Sequence, residues 1–266
     1  MADRLGNISC MEICCPFYFK ERIGDFMEKK QTLDLRQLLS ENTYPGRGIV
    51  VGKSEDGKKA VAAYFIMGRS ENSRNRVFEE NEGGITIYPF DASKVSDPSL
   101  IIYNPVRTIG QDLIVTNGDQ TDTVYDFIAQ GKTFEEALDT RCFEPDAPNY
   151  TPRISAVLNF AGQDFTYKMS ILKSADSEGT ACNRFTFSYA PLPGVAHFIH
   201  TYQCDGNPIP SFEGEPEPVS IGNNAEEIAE LIWNHLNAEN KVSLYVLTKD
   251  LSSGEIATKI INKNVK

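Results

Sequence analysis

The chain has 266 residues, of which 41% are hydrophobic and 10% aromatic, the composition of a globular protein able to bury a sizeable core in one large or two small domains. Its net charge of −11 argues against a nucleic-acid partner and against an anionic membrane surface, since both are held largely by Lys and Arg. No apolar run approaches the roughly 20 residues that span a bilayer, and residues 8–19 are interrupted by Glu12 and lack a leader-type cleavage site.

Residues 1–26 show no clear period and read as an N-terminal extension whose place in the native protein is open. Cys10, Cys14 and Cys15 lie there, with Cys142, Cys182 and Cys204 further on. Six cysteines in a chain of this length do not make a disulfide framework, so reduced thiols and a cytoplasmic setting are expected. No Cys-x-x-Cys pair or nearby histidine gives the first three the spacing of a metal site.

From residue 27 onward a single domain is expected. A helix starts near Thr32 and carries Leu33, Leu35, Leu38 and Leu39. Strands over 49–53 and 59–67 flank Glu55-Asp56-Gly57-Lys58, whose Asp-Gly pair signals a hairpin. Further strands are expected at 84–88, 100–103, 106–109 and 113–116, then helices at 121–130 and 134–141, the second capped by Thr133. Four strands follow in series at 153–160, 165–172, 183–189 and 196–203. Residues 205–223 read as a long loop, 225–236 as an amphipathic helix, and 242–248 with 255–261 as a closing hairpin. Runs of antiparallel-looking strands with grouped helices indicate an α+β class built on two sheets covered by helices.

The most informative segment chemically is Gly68-Arg69-Ser70-Glu71-Asn72-Ser73-Arg74-Asn75-Arg76, with three arginines at the end of an apolar strand in an acidic protein. Guanidinium forks together with hydroxyl and amide donors suit phosphate recognition; the alternative is a solvated charged loop. Tyr44-Pro45-Gly46-Arg47-Gly48 is no dinucleotide fingerprint, because it opens a strand where the fingerprint follows one, and Arg47 reads either as a second cation for the same anion or as half of a surface ion pair. Tyr103-Asn104-Pro105-Val106-Arg107 sets a phenol, an amide and a guanidinium in five residues, with Tyr103 either a proton donor or a packing residue. Thr116-Asn117-Gly118-Asp119-Gln120-Thr121-Asp122 joins a strand to a helix, and Asp119 or Asp122 reads first as a helix cap. His197, His200 and His235 have no triad signature around them, and neither a nucleophile elbow nor a Walker loop is present. Chemistry here therefore rests on positioning, hydrogen bonding and charge, without a cofactor or metal.

These segments, with Tyr-Thr-Pro-Arg-Ile at 150–154, resemble in order the stand-alone IMP cyclohydrolase family, over about residue 31 to the C-terminus. The resemblance implies a four-layer αββα sandwich of two mainly antiparallel sheets, like that of N-terminal-nucleophile hydrolases, and closure of 5-formamidoimidazole-4-carboxamide ribotide to IMP with loss of water in purine biosynthesis. It implies catalytic roles for Arg76, stabilising negative charge, and for Tyr103, relaying a proton. It further implies ribotide contacts from Arg47, Arg69, Ser70, Asn75, Asn104, Arg107, Asn117 and Asp119. The family glutamate that precedes Thr-Pro-Arg falls nearest Glu144, although Asp146-Ala147-Pro148-Asn149 intervenes. A ribotide-binding protein without turnover is the alternative, and a processed amidohydrolase using Cys10, Cys14 or Cys15 is a third. The oligomeric state, homo-oligomer included, is left open.

Overall fold

A computed structural model describes residues 32–95 and 102–265. The readings placed on residues 1–26, including the terminal-cysteine nucleophile, and most of the strand expected at 100–103 lie outside the described residues; Ile102 and Tyr103 themselves are not in a strand.

Helix α1 (Leu35–Glu41) begins one turn later than Thr32, because Asp34 supplies the N-cap by accepting from the Arg36 N–H at 2.9 Å. The hairpin of β1 (Arg47–Lys53) and β2 (Lys59–Met67) turns at Asp56-Gly57, where Gly57 has a φ of 71°. After a short helical turn α2 (Glu71–Arg74) come β3 (Val77–Asn81), β4 (Gly84–Tyr88), β5 (Val106–Ile109) and β6 (Asp112–Thr116). Helices α3 (Gln120–Ala129) and α4 (Phe134–Asp139) follow, the latter with a reciprocal cap between Thr133 and Glu136. Strands β7 (Arg153–Asn159), β8 (Thr166–Ser174), β9 (Cys182–Tyr189) and β10 (Val195–His200) run on in series. The chain closes with β11 (Glu217–Ser220), α5 (Ala225–His235), β12 (Lys241–Asp250) and β13 (Ile256–Asn262).

All strand pairs within the two sheets are antiparallel. One sheet has the order β11-β10-β1-β2-β12-β13 and the other β3-β4-β5-β6-β7-β8-β9. The two-residue period of β2 shows how they stack. Ala62, Tyr64 and Ile66 pack with Leu113, Ile154 and Leu158 of the second sheet, whereas Val61, Phe65 and Met67 pack with Leu35, Ile228 and Ile232 of α1 and α5. On the far face of the second sheet, Ile114 and Val157 pack with Val124, Phe134 and Leu138 of α3 and α4. The layers are therefore helix, sheet, sheet, helix, as the α+β reading required. A strand buried on both faces reads as an unbroken apolar run, which is how β2 appears in the sequence.

The C-terminal end of β2 leads into the segment 68–76. At Met67-Gly68 it delivers the backbone to the arginine-rich turn, and its partners β1 and β12 hold it from both sides. Among the described residues no helix is long and apolar enough to cross a membrane.

Leu158 faces the inter-sheet core with no exposed surface. Leu158→Ala is expected to cost about 2–5 kcal/mol by lost burial and a residual cavity. Urea unfolding should show this as a lower midpoint with an unchanged slope.

Candidate active site

The chain enters β1 through Tyr44-Pro45-Gly46. Gly46 has a φ of 77°, and a Cβ there would lie 2.3 Å from Thr201 Oγ1 and 2.5 Å from the Tyr202 ring. Only glycine lets the backbone pass this close to the end of β10. The approach is fixed by the Arg47 N–H donating to Thr201 Oγ1 at 3.0 Å and the Tyr202 N–H donating to Pro45 O at 3.2 Å, with Tyr44 and Tyr202 stacked at 5.8 Å. Arg47 is thereby set at the sheet end, where its Nη1 donates to Met67 O at 2.5 Å.

The Arg-Ser segment is a built turn. Ser70 caps α2 by accepting from the Ser73 N–H at 3.2 Å, Ser73 Oγ accepts from the Ser70 N–H at 3.0 Å, and a Cβ on Gly68 would collide with Ser73. Arg74 clamps the turn from behind, donating to Gly68 O and to Asn240. Its neighbours of the same charge face elsewhere. Arg69 lies over the Tyr44 ring and donates to Asp205 Oδ1 at 2.5 Å and Gly206 O at 2.8 Å. Arg76, immediately before β3, has a buried Nε with no hydrogen-bond partner among the described residues.

Arg47, Arg69, Ser70, Arg76, Tyr103, Asn117 and Glu144 border one cavity of about 350 Å³. Tyr44, Ser73, Asp146, Asn149, Thr151, Tyr202 and Ile209 complete its wall. That volume falls in the range of small-molecule sites, about 300–1,000 Å³. The residues come from well-separated stretches of chain, so their meeting is a property of the fold.

Glu144 reaches this cavity because the residues that intervene before Thr-Pro-Arg fold back on themselves. Asp146 accepts from the Thr151 N–H at 2.6 Å and from Thr151 Oγ1 at 2.5 Å, while the Glu144 N–H donates to Thr151 O at 2.9 Å. Residues 145–148 are exposed, while Glu144 lies at the cavity wall. Thr151 Oγ1 also lies 2.6 Å from the Tyr202 hydroxyl, which ties this loop to the end of β10.

Burial dominates the electrostatics of the cavity. Burial pushes the Glu144 carboxyl above the usual carboxylate range, against the pull of Arg153, Arg47 and Arg76. Burial also disfavours the charge on Arg76, and the neighbouring Arg47 adds to that, while Tyr103, Tyr64 and Glu144 favour it. Tyr103 is raised by burial and drawn back by Arg76 and Arg47. Tyr202 is pushed up to about 12, again chiefly by burial.

Four expected ribotide contacts are not gathered at the cavity, and each has its side chain committed elsewhere. Asn75 is buried and bridges to the backbone of Asp91, donating to its O at 2.8 Å and accepting from its N–H at 2.7 Å. Asn104 accepts from Thr86 Oγ1 at 2.7 Å. Arg107 pairs with Asp122 at 2.7 Å and lies 3.5 Å above the Tyr125 ring. Asp119 occupies the N-cap position of α3 without making a cap bond, and instead bridges Arg141 at 2.5 Å and Arg153 at 2.7 Å. Asn117 borders the cavity, but its side chain is a bracket: it donates to Pro152 O and accepts from the Ile154 N–H, each at 2.9 Å. Of the wall residues not anticipated, Tyr44 carried a signal in its place within Tyr-Pro-Gly-Arg and Thr151 in its place within Tyr-Thr-Pro-Arg-Ile, whereas Tyr202 carried none.

Comparison with known proteins gives a consistent result. Residues 44–254 match a family model described as IMP cyclohydrolase-like protein. An IMP cyclohydrolase of Methanococcus aeolicus is 30% identical over 213 residues, covering 78% of this chain and 96% of the relative. One from Methanococcus maripaludis strain C6 is 35% identical with the same two coverages. One from Methanocaldococcus jannaschii is 28% identical over 229 residues, covering 81% of this chain and 98% of the relative.

Asp119 supplies a pH test of the framework behind the site. Its burial raises the carboxyl pKa, but the bonds from Arg141 and Arg153 outweigh this and hold it below the usual aspartate value. A lowered folded-state pKa stabilises above the unfolded value and is lost as pH falls through the folded one. The stability gap between the wild type and Asp119→Asn should therefore stay level from pH 7 to about 5 and close below about pH 4. Thermal melts across that range check it; the pair is partly exposed, so the gap should be small.

Proposed function

The chain belongs to the IMP cyclohydrolase-like protein family, and we propose that it closes 5-formamidoimidazole-4-carboxamide ribotide to IMP with loss of water. The observation that carries this reading is the convergence of Arg47, Arg76, Tyr103 and Glu144 on one cavity. Three of them come from the segments that define the resemblance, and Glu144 reaches the cavity from the folded-back loop 144–151.

The reaction is intramolecular. Holding the carboxamide nitrogen against the formyl carbon in a near-attack geometry supplies much of the rate by itself. What remains is charge and proton management. As the nitrogen attacks, the formyl oxygen becomes negative beside Arg76 and Arg47, whose guanidinium groups are already in place and need no reorganisation. Glu144 takes a proton from the attacking nitrogen, a role that suits a carboxyl made more basic by burial. Tyr103 protonates the formyl oxygen, giving a ring-closed carbinolamine. In the second half Glu144 returns its proton to the departing hydroxyl, and the former formamide N–H restores Tyr103. One water leaves and both side chains end as they began.

Arg69, Ser70 and Ser73 lie on the same cavity wall, and we assign them to the ribotide phosphate. Arg69 would exchange its bonds to Asp205 and Gly206 for phosphate oxygens, a low-cost exchange for an exposed ion pair.

Incubation of the full chain with the formylated ribotide, followed by absorbance and chromatography for IMP, tests this. Arg76→Ala is expected to lose about 10²–10³ in kcat, as for removal of a charge-stabilising donor. Tyr103→Phe and Glu144→Gln should each lose about 10²–10⁴ with the fold retained by circular dichroism. Stabilisation by IMP without turnover in the wild type would instead support a ribotide-binding protein.

A further inference from the structure

Tyr64 is not on the cavity surface and has no place in the chemistry above, yet it touches the proposed proton donor. It lies in the middle of β2 with no exposed surface, its ring stacked on Phe78 at 5.6 Å and 16°. Its hydroxyl is 3.2 Å from that of Tyr103, and the Tyr103 hydroxyl is 2.8 Å from Asn117 O.

The direction of these bonds follows from counting protons. A carbonyl oxygen can only accept, so Tyr103 uses its one hydroxyl proton on Asn117 O. The contact with Tyr64 must then be donated by Tyr64. A buried phenol of this kind also keeps its proton, because burial and the neighbouring Tyr103 hold Tyr64 well above the usual tyrosine value despite Arg47 and Arg76. Tyr64 is thus a fixed donor, locked in rotation by Phe78 and aimed at the oxygen of Tyr103.

We propose that Tyr64 is a positioning residue for the ring closure, whose hydroxyl orients Tyr103 and supports the negative charge Tyr103 acquires when it gives up its proton. This rests on the cyclohydrolase reading and on the role given there to Tyr103. When Tyr103 donates to the substrate it leaves Asn117 O, and without Tyr64 its oxygen would have no fixed donor from the protein's core. Arg76, Arg47 and Glu144 are the other charged groups acting on Tyr103: the first two favour its ionised form and the third opposes it. The Tyr64 bond adds a directional contribution of the kind that charge-assisted hydrogen bonds supply.

The test removes one oxygen atom. Tyr64→Phe keeps the ring and its stacking, so the variant should melt close to the wild type. Its kcat should fall at least tenfold with KM within about twofold, because the bond strengthens as charge develops and makes no ground-state contact with substrate. In a Tyr103→Phe background the same change should cost less than about twofold, since the oxygen it serves is gone. Equal losses in both backgrounds, an unchanged kcat, or a loss confined to KM would overturn the inference while leaving wild-type cyclisation intact.

A second measurement needs no turnover. With tyrosine labelled at the ring ζ carbon, the Tyr103 resonance is identified by its absence in Tyr103→Phe and titrated in the free protein. Tyr64→Phe should move that titration upward by about one pH unit, the shift expected on losing a donor to a phenolate. A titration that stays in place or moves downward would overturn the inference even if the wild type turned nothing over.

Discussion

Arg47 and Arg76 carry like charges, lie close enough to weaken each other, and are removed from most of their hydration at the end of a sandwich core. Bringing such a pair together is unfavourable unless something fixed surrounds it, and an isolated buried cation would cost far more than a fold of this size could spare. The compensation here is a set of oxygens. Arg47 donates to Met67 O, and the hydroxyl-bearing side chains of Tyr44, Tyr103 and Tyr202 border the same cavity. Glu144 supplies the negative partner, itself held partly against its charge. A cavity so arranged is complementary to an anion that brings its own negative charge, and most complementary to one whose charge grows during reaction.

That arrangement is only as good as its supports, and those are mostly backbone. Gly46 lets β1 pass against the end of β10, Gly68 lets the Arg-Ser turn fold onto Ser73, and the 144–151 loop closes through Asp146 and Thr151. Behind them, Asn117, Gln120, Arg153 and Asp119 form a polar bracket between β6, α3 and β7. A Cβ on Gly118 would lie 2.4 Å from Arg153 Nη1 and 2.5 Å from Gln120 Oε1, so a side chain there would have to displace these two bracket groups. Several of the family-like motifs therefore serve as scaffolding for a few cavity-lining groups, and segments spread over the chain meet at one place.

Much of the fold was legible where burial imposed a simple period. β2 and β5 fall where the apolar runs put them, the Asp-Gly turn is where glycine was needed, and Thr133 caps its helix. The elements that escaped notice are short or polar. α2 has four residues, none apolar; β3 has two apolar residues before Glu79-Glu80-Asn81; β11 has four residues including Pro218. β10 stops at His200, short of residue 203, because Thr201 and Tyr202 turn to meet Pro45 and Arg47. At the site, residue type pointed to arginine and tyrosine as the chemistry but could not divide cavity groups from structural ones. Arg69 and Arg107 look alike in sequence; one faces the cavity, and the other has Asp122 and Tyr125 within reach. Such a division depends on partners distant in the chain, and no local pattern encodes it.

Two guanidinium groups, a phenol and a carboxyl from separate segments are proposed to act together on one purine ribotide. A crystal structure of the full chain soaked with IMP decides whether they do. The base is expected against Arg76, Tyr103 and Glu144, with the phosphate toward Arg69 and Ser70. A nucleotide bound elsewhere, or one in this cavity with neither Arg76 nor Tyr103 in contact with the pyrimidine half of the purine, would contradict it.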